Sequence, residues 1–158
     1  MPTPEETRDM EHKHVMLSYN EIEELIYAGN NMCCQTHFEG ELLSKGITAD
    51  ISLELERLDN PKGVNYFFWF PWEEDTAPDM ELIKLALKTL DNLIEQNVKV
   101  YIHCKNGHGR TSTLLAAYFI HSKNVTAGEA LELVKEKRPS MHLNEIQTGF
   151  LREFEKNR

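Results

Sequence analysis

The chain has 158 residues, 41% of them hydrophobic, which suits one domain of ordinary size with an ordinary core. Lys and Arg total 17 against 26 Asp and Glu, a net charge of −9 that disfavours non-specific binding to nucleic acid or an anionic membrane surface. No apolar run is long enough to span a bilayer, none resembles a secretory signal, and three cysteines make an incomplete disulfide framework, so an intracellular, cytoplasmic setting is expected.

In chain order, residues 1–14 are polar and proline-bearing, which predicts a flexible tail; residues 15–158 are expected to form a single domain. Leu25 to Ala28 reads as an edge strand. Cys33 and Cys34 are adjacent, and neighbouring cysteines do not bridge each other without strain. Glu41 to Lys45 reads as a short helix stopped by Gly46, followed by a strand over Ile47 to Leu53. Val64 to Phe70 is a core strand, and an amphipathic helix runs from about Asp79 to Gln96. The β-branched run Val98 to Ile102 is the next strand. The helix from Arg110 to Lys123 is apolar nearly all round, which marks a central, buried helix. A capping-box pattern at Thr126 and Glu129 opens a helix over Ala127 to Lys137, and Pro139 stops it. Ile146, Phe150 and Phe154 fall at helical spacing in a last helix from Leu143 to Lys156. This order predicts an α/β fold, a mainly parallel central sheet of four to five strands flanked by helices on both faces.

The most informative stretch is His103-Cys104-Lys105-Asn106-Gly107-His108-Gly109-Arg110-Thr111, between a buried strand and a buried helix. The two glycines let such a loop fold back so that consecutive N–H groups point inward and bind an anion. The helix N-terminus adds its positive end. Inward N–H groups, a helix start and a guanidinium all favour an anionic sulfur, so Cys104 reads as a nucleophile beneath a bound phosphate. The planar fork of Arg110 matches two phosphate oxygens. Thr111 can offer its hydroxyl to the sulfur when a phosphoenzyme breaks down. His103 is expected to fix the loop by hydrogen bonds. Lys105 adds one cation, and His108 adds another when protonated. The glycines do not extend to a dinucleotide fingerprint, because Ser112 stands where the third glycine belongs, and no Gly-Lys-Ser/Thr is present.

His103-Cys104-x-x-Gly107-x-x-Arg110-Thr111 resembles the signature of cysteine-dependent protein tyrosine phosphatases, and the short chain is most similar to their dual-specificity branch. The resemblance spans about Tyr19 to Glu155. It implies a two-step reaction through a phosphocysteine, no metal or other cofactor, and a general-acid aspartate on a separate upstream loop. Physical chemistry asks for the same acid, since an oxygen leaving phosphorus needs a proton. Phe70-Pro71-Trp72-Glu73-Glu74-Asp75-Thr76-Ala77-Pro78 is the matching segment, with Asp75 as acid and then base, and Glu74 as runner-up. Gln147, near the last helix start, is implied to help place the hydrolytic water. Asn144 is implied to do likewise, or simply to cap the helix. Asn106 and Ser112 depart from the small residue and the glycine frequent in the family. A bridge from Cys104 to Cys33 or Cys34 would protect the sulfur from over-oxidation, with free thiols the commoner state.

The expected function is a protein phosphatase acting on phosphotyrosine, with phosphoserine and phosphothreonine as further substrates. The expected partners are a phosphorylated protein or peptide and a phosphate or other oxyanion in the loop, with no nucleic acid and no membrane. The expected state is a monomer. A phosphoinositide or RNA 5′-phosphate phosphatase, a non-catalytic phosphate-binding module and a sulfur transferase are the alternatives.

Overall fold

The computed structural model describes residues 16–31 and 40–158. The flexible-tail expectation for residues 1–14 and the pairing of Cys33 and Cys34 fall outside the described residues; Cys104 is a buried free thiol.

Five strands form one sheet in the order β1-β2-β5-β3-β4: β1 Tyr19–Glu23, β2 Ile26–Gly29, β3 Ile47–Glu54, β4 Tyr66–Trp72 and β5 Lys99–His103. The strand pairs β2–β5, β5–β3 and β3–β4 are parallel, and only β1–β2 is antiparallel. The sheet is therefore mixed, with a parallel majority as expected. The strand near Leu25 to Ala28 is not an edge strand: β1 covers it. β1 reads Tyr-Asn-Glu-Ile-Glu and buries only Ile22, so no run of apolar residues announces it.

The described helices are α1 Gly40–Ser44, α2 Met80–Glu95, α3 Arg110–Lys123, α4 Ala127–Lys137 and α5 Glu145–Lys156. The larger core lies between the sheet and α2 to α5, where Ala49, Ile51 and Leu53 of β3 and Val100 and Ile102 of β5 meet α3. The alternate residues face the other way. Tyr101 packs with Tyr27 and Leu42 of α1 in a second, smaller cluster, which Ile47 joins because the register shifts between Ile47 and Ala49. Residues Arg110 to Ile120 of α3 are all buried, so its start is held rigidly against the sheet.

Helix limits follow local chemistry. Asn97 and Asn124 take left-handed backbone (φ 59° and 54°) just after α2 and α3, and Asn tolerates that conformation at a helix end. Thr126 accepts the Glu129 N–H at 3.2 Å, which caps α4. Parallel strands β2, β5, β3 and β4 all finish at one edge of the sheet, where the connections to the helices open. The Cys104 loop leaves the middle of that edge.

Candidate active site

The loop after β5 is shaped by holding its carbonyls outward. Asn31 N–H donates to Lys105 O at 3.1 Å, and Arg138 Nε donates to Gly107 O at 2.7 Å. Arg138, fully buried, also donates through Nη1 to Asn20 Oδ1 at 2.8 Å. With carbonyls so engaged, the Gly107 N–H turns inward and donates to Cys104 Sγ at 3.2 Å. Gly107 has φ +72°, and a Cβ there would lie 2.4 Å from Gly29 O and 2.7 Å from Arg138 Nη2, so only glycine fits.

Cys104 is 3% exposed and receives a second hydrogen bond, from Thr111 Oγ1 at 3.1 Å. Two donors aimed at one sulfur favour negative charge on it. Arg110 opens α3 and is 2% exposed. Its Nη1 donates to Glu56 Oε1 at 2.7 Å and to Trp72 O at 2.9 Å. Its Nη2 is buried without a protein partner, which leaves a donor available for an oxyanion. A cavity of about 190 Å³ joins these groups. Its wall takes Cys104, Asn106, His108, Gly109 and Arg110 from the loop, Glu74 and Asp75 from the β4–α2 connection, and His142 from the α4–α5 connection. A wider hollow of about 490 Å³ between β4 and α2 holds no nucleophile and no arginine.

Asp75 is exposed at the cavity wall, in left-handed backbone with φ +64°. For a residue other than glycine that conformation costs about 1–2 kcal/mol. The surroundings hold it there. Asn144 Nδ2 donates to Asp75 O at 2.8 Å, Thr76 Oγ1 to Glu73 O at 2.7 Å, and Trp72 Nε1 to Thr76 O at 3.2 Å. Glu74 shares the cavity wall, so the geometry brings both carboxylates of the sequence reading to it.

Asn144 and Gln147 form a reciprocal capping box at the start of α5. Gln147 is 1% exposed, and its Nε2 points to Thr76 O at 3.4 Å. It packs against the loop, where a Cβ on Gly109 would come within 3.1 Å of that nitrogen. The two amides thus tie the Asp75 connection to α5, a function the sequence did not announce. His108 is exposed; burial, then the Arg138 charge and His142, push it below the usual imidazole range, so it adds no cation near neutrality. Lys105 and Asn106 are exposed, and of the two Asn106 lines the cavity.

His103 lies fully buried under the loop, stacked on Tyr101 with ring centroids 5.6 Å apart. Its Nε2 sits 2.9 Å from Asp50 Oδ1 and 3.5 Å from Asp59 Oδ2. Burial, the largest influence, pulls this imidazole down; the charge and close approach of Asp50 and the charge of Asp59 outweigh it and push it up to about 9. Burial likewise pushes the Asp50 carboxyl up, opposed by the imidazole. These are charge contacts: neither Nε2 nor the Asp50 oxygens meet the directional geometry of a hydrogen bond. Among the described residues, this is where metal-type donors converge, within 4.8 Å of one another. His103 Nε2 lies directly against Asp50 Oδ1 at 2.9 Å, so we read the group as an ion cluster, not a ligand set.

The sequence reading placed Cys104, Arg110, Thr111, Asp75 and the loop residues together, and they are together. It missed Glu56, Arg138, Asp50, Asp59 and Asn31. Asp50 and Glu54 had a readable signal, carboxylates at alternate positions of a strand otherwise apolar on its other face. Arg138 had none, since an arginine before a proline at a helix end reads as an ordinary C-terminal cation.

The sequence model of the dual specificity phosphatase catalytic domain matches residues 26–157. The chain is 28% identical over 115 residues to the tyrosine-protein phosphatase CDC14 of Saccharomyces cerevisiae, covering 73% of this chain and 19% of that protein. It is 33% identical over 78 residues to the phosphatidylglycerophosphate phosphatase PTPMT2 of Arabidopsis thaliana, covering 49% of this chain and 34% of that one. The chain thus spans well under half the length of these relatives. The solved structure of PTPMT1 in complex with PI(5)P superposes with a TM-score of 0.76 at 22% identity, covering 88% of this chain and 95% of that one, a likeness of fold.

Proposed function

The chain belongs to the dual specificity phosphatase family, and from that premise we propose that it hydrolyses phosphotyrosine in a protein or peptide, with phosphoserine and phosphothreonine as further substrates. The observation that carries the chemistry is the pair of donors on Cys104 Sγ, from Gly107 N–H at 3.2 Å and Thr111 Oγ1 at 3.1 Å, in a cavity shared with Asp75 and Arg110. A sulfur so held is an anionic nucleophile beneath a site for a second anion.

In the first step Cys104 Sγ attacks phosphorus and an S–P bond forms as the P–O bond to the leaving group breaks. Asp75 gives its proton to that leaving oxygen. Arg110 Nη2 and the N–H groups of the loop bind the non-bridging oxygens. In the second step Asp75 takes a proton from water, whose oxygen attacks phosphorus. The S–P bond breaks, its electron pair returns to sulfur, and Thr111 Oγ1 donates to the departing thiolate. Phosphate and the starting enzyme result, so no redox partner is needed.

A peptide substrate is favoured over a membrane lipid by charge. Glu74 and Asp75 both stand at the cavity wall and the chain carries −9, which repels an anionic bilayer surface. A second reading, the phosphate of a lipid headgroup, is favoured by the relative that is a phosphatidylglycerophosphate phosphatase. A panel of phosphopeptides, phosphoinositides in vesicles and phosphatidylglycerophosphate, assayed with wild type and Cys104→Ser, separates them. Phosphopeptide turnover lost in Cys104→Ser is expected; turnover confined to lipid overturns the first reading in favour of the second.

A further inference from the structure

Asp59 stands in the irregular connection between β3 and β4, yet it is 7% exposed. A carboxylate on a connection ordinarily faces water, and burying it demands partners. Asp59 has them on both sides. Arg57 Nε donates to its Oδ1 at 3.0 Å, and Asn31 Nδ2 lies 3.0 and 3.2 Å from its two oxygens. Asn31 itself is tied to the loop, since its N–H donates to Lys105 O. Its Oδ2, which also accepts from Asn31, faces His103 Nε2 at 3.5 Å. The same short connection grips the other end of the loop, where Glu56 Oε1 accepts from Arg110 Nη1 at 2.7 Å. One segment therefore touches both the residue before the nucleophile and the phosphate-binding arginine.

Among the described residues, the titratable groups that face or act on His103 are Asp50 from β3, Asp59 from the connection, and Tyr101 and Cys104 from its own strand and loop. Asp50 alone places one carboxylate against the imidazole. Asp59 places a second, and its position depends on Arg57 and Asn31, not on the sheet.

We propose that Asp59 is a positioning residue for the phosphatase reaction: together with Asp50 it keeps a proton on His103, so that an imidazolium, fixed in place, backs the nucleophilic sulfur. This rests on the phosphatase reading above and deepens it. His103 stacks on Tyr101 while Cys104 lies with Ile102 in the larger core, so the two side chains leave the chain on opposite sides of the sheet, and the imidazolium acts on the sulfur through its charge, which a buried setting screens little. Asp59 acts through His103 and touches no substrate.

The test is a titration of His103 by NMR on isotope-labelled full chain, in wild type, Asp59→Asn, Asp59→Glu and Asp50→Asn, alongside kcat/KM against pH for an aryl phosphate with a good leaving group, each protein also carrying Asp75→Asn in the kinetic arm so that loss of the Asp75 proton does not set the basic limb. We expect His103 to be protonated at neutral pH in wild type. Its midpoint drops by about one pH unit in Asp59→Asn, as loss of a nearby opposite charge dictates. The basic limb of kcat/KM moves down with it, and Asp59→Glu restores most of both. A purely structural Asp59 lowers stability but leaves these two midpoints in place. A neutral His103 in the wild type at pH 7 overturns the proposal without any variant. So does an Asp59→Asn protein whose basic limb stays fixed while its His103 midpoint moves. An enzyme inert toward every phosphate ester overturns the phosphatase reading, and this inference with it; a working enzyme with neutral His103 overturns this inference alone.

Discussion

Thr111 Oγ1 donates to Cys104 Sγ at 3.1 Å, so the residue that follows Arg110 touches the sulfur which, in the proposed reaction, leaves phosphorus. A hydrogen bond to a charged group contributes about 1.5–3 kcal/mol. Thr111→Ala should therefore slow breakdown of the phosphoenzyme roughly ten- to a hundredfold. Rapid-quench kinetics should show a burst of leaving group followed by slow turnover. An unchanged second step in the variant would detach Thr111 from this role.

Asp75→Asn removes the proton donor and should lower kcat on an alkyl phosphate by roughly a hundred- to ten-thousandfold. The loss should shrink for an aryl phosphate with a good leaving group, which leaves without help. Glu74→Gln serves as the control, because Glu74 lines the same cavity. If Glu74→Gln shows the leaving-group dependence and Asp75→Asn does not, the acid is Glu74.

Asn144→Ala removes both the cap of α5 and the donor to Asp75 O. Loss of the cap costs about 0.5–2 kcal/mol. The Asp75 backbone, left-handed at φ +64°, then lacks one of its restraints. A drop in kcat beyond the effect on stability, measured by urea unfolding beside steady-state assays, is the expected result.

His103 gives stability a direction with pH. Its folded value, about 9, lies above that of a free imidazole, so folding takes up a proton there. The contribution is complete below about 6.5, the free value, and is lost as pH rises through about 9. Upward displacement of the Asp50 carboxyl acts in the same sense, favouring the proton-bound fold. Urea midpoints should fall across that window in wild type, and His103→Gln should flatten the decline.

Gly107→Ala should both destabilise the chain and abolish activity. Its backbone is left-handed and its Cβ would meet Gly29 and Arg138. Arg138→Lys keeps a charge but cannot hold Gly107 O and Asn20 Oδ1 at once. A raised KM for aryl phosphate, with inorganic phosphate inhibiting less well, is expected from Arg138→Lys.

The parts of this site that lie in one stretch of chain were legible. Cys104, Gly107, Arg110 and Thr111 sit within a single short stretch that ends in a helix start, so their spacing alone brings them together. Asp75 reads as the acid through the family resemblance, on a strand-to-helix connection that ends Asp75-Thr76-Ala77-Pro78, and it does line the cavity. The strand β1 was not, since an antiparallel edge with one buried residue has no pattern to show. The supports of the loop were not legible either. Arg138, Asn31 and Glu56 reach it only through the packing of distant segments, and nothing in their neighbours' sequence announces that contact. Gln147 reads from the resemblance as the residue that helps place the hydrolytic water; what the structure adds is its contact to Thr76 O, which joins α5 to the Asp75 connection.

The central claim is that phosphorus passes through Cys104. Asp75→Asn, incubated with a radiolabelled phosphate ester of a good leaving group, should react normally in the first step and slowly in the second. Quenching during turnover and mapping the labelled peptide tests this directly. The label should appear on Cys104, be absent from Cys104→Ser, and decay at the steady-state rate. Turnover by Cys104→Ser, or turnover with no phosphoryl group on Cys104 at any time, would contradict the account.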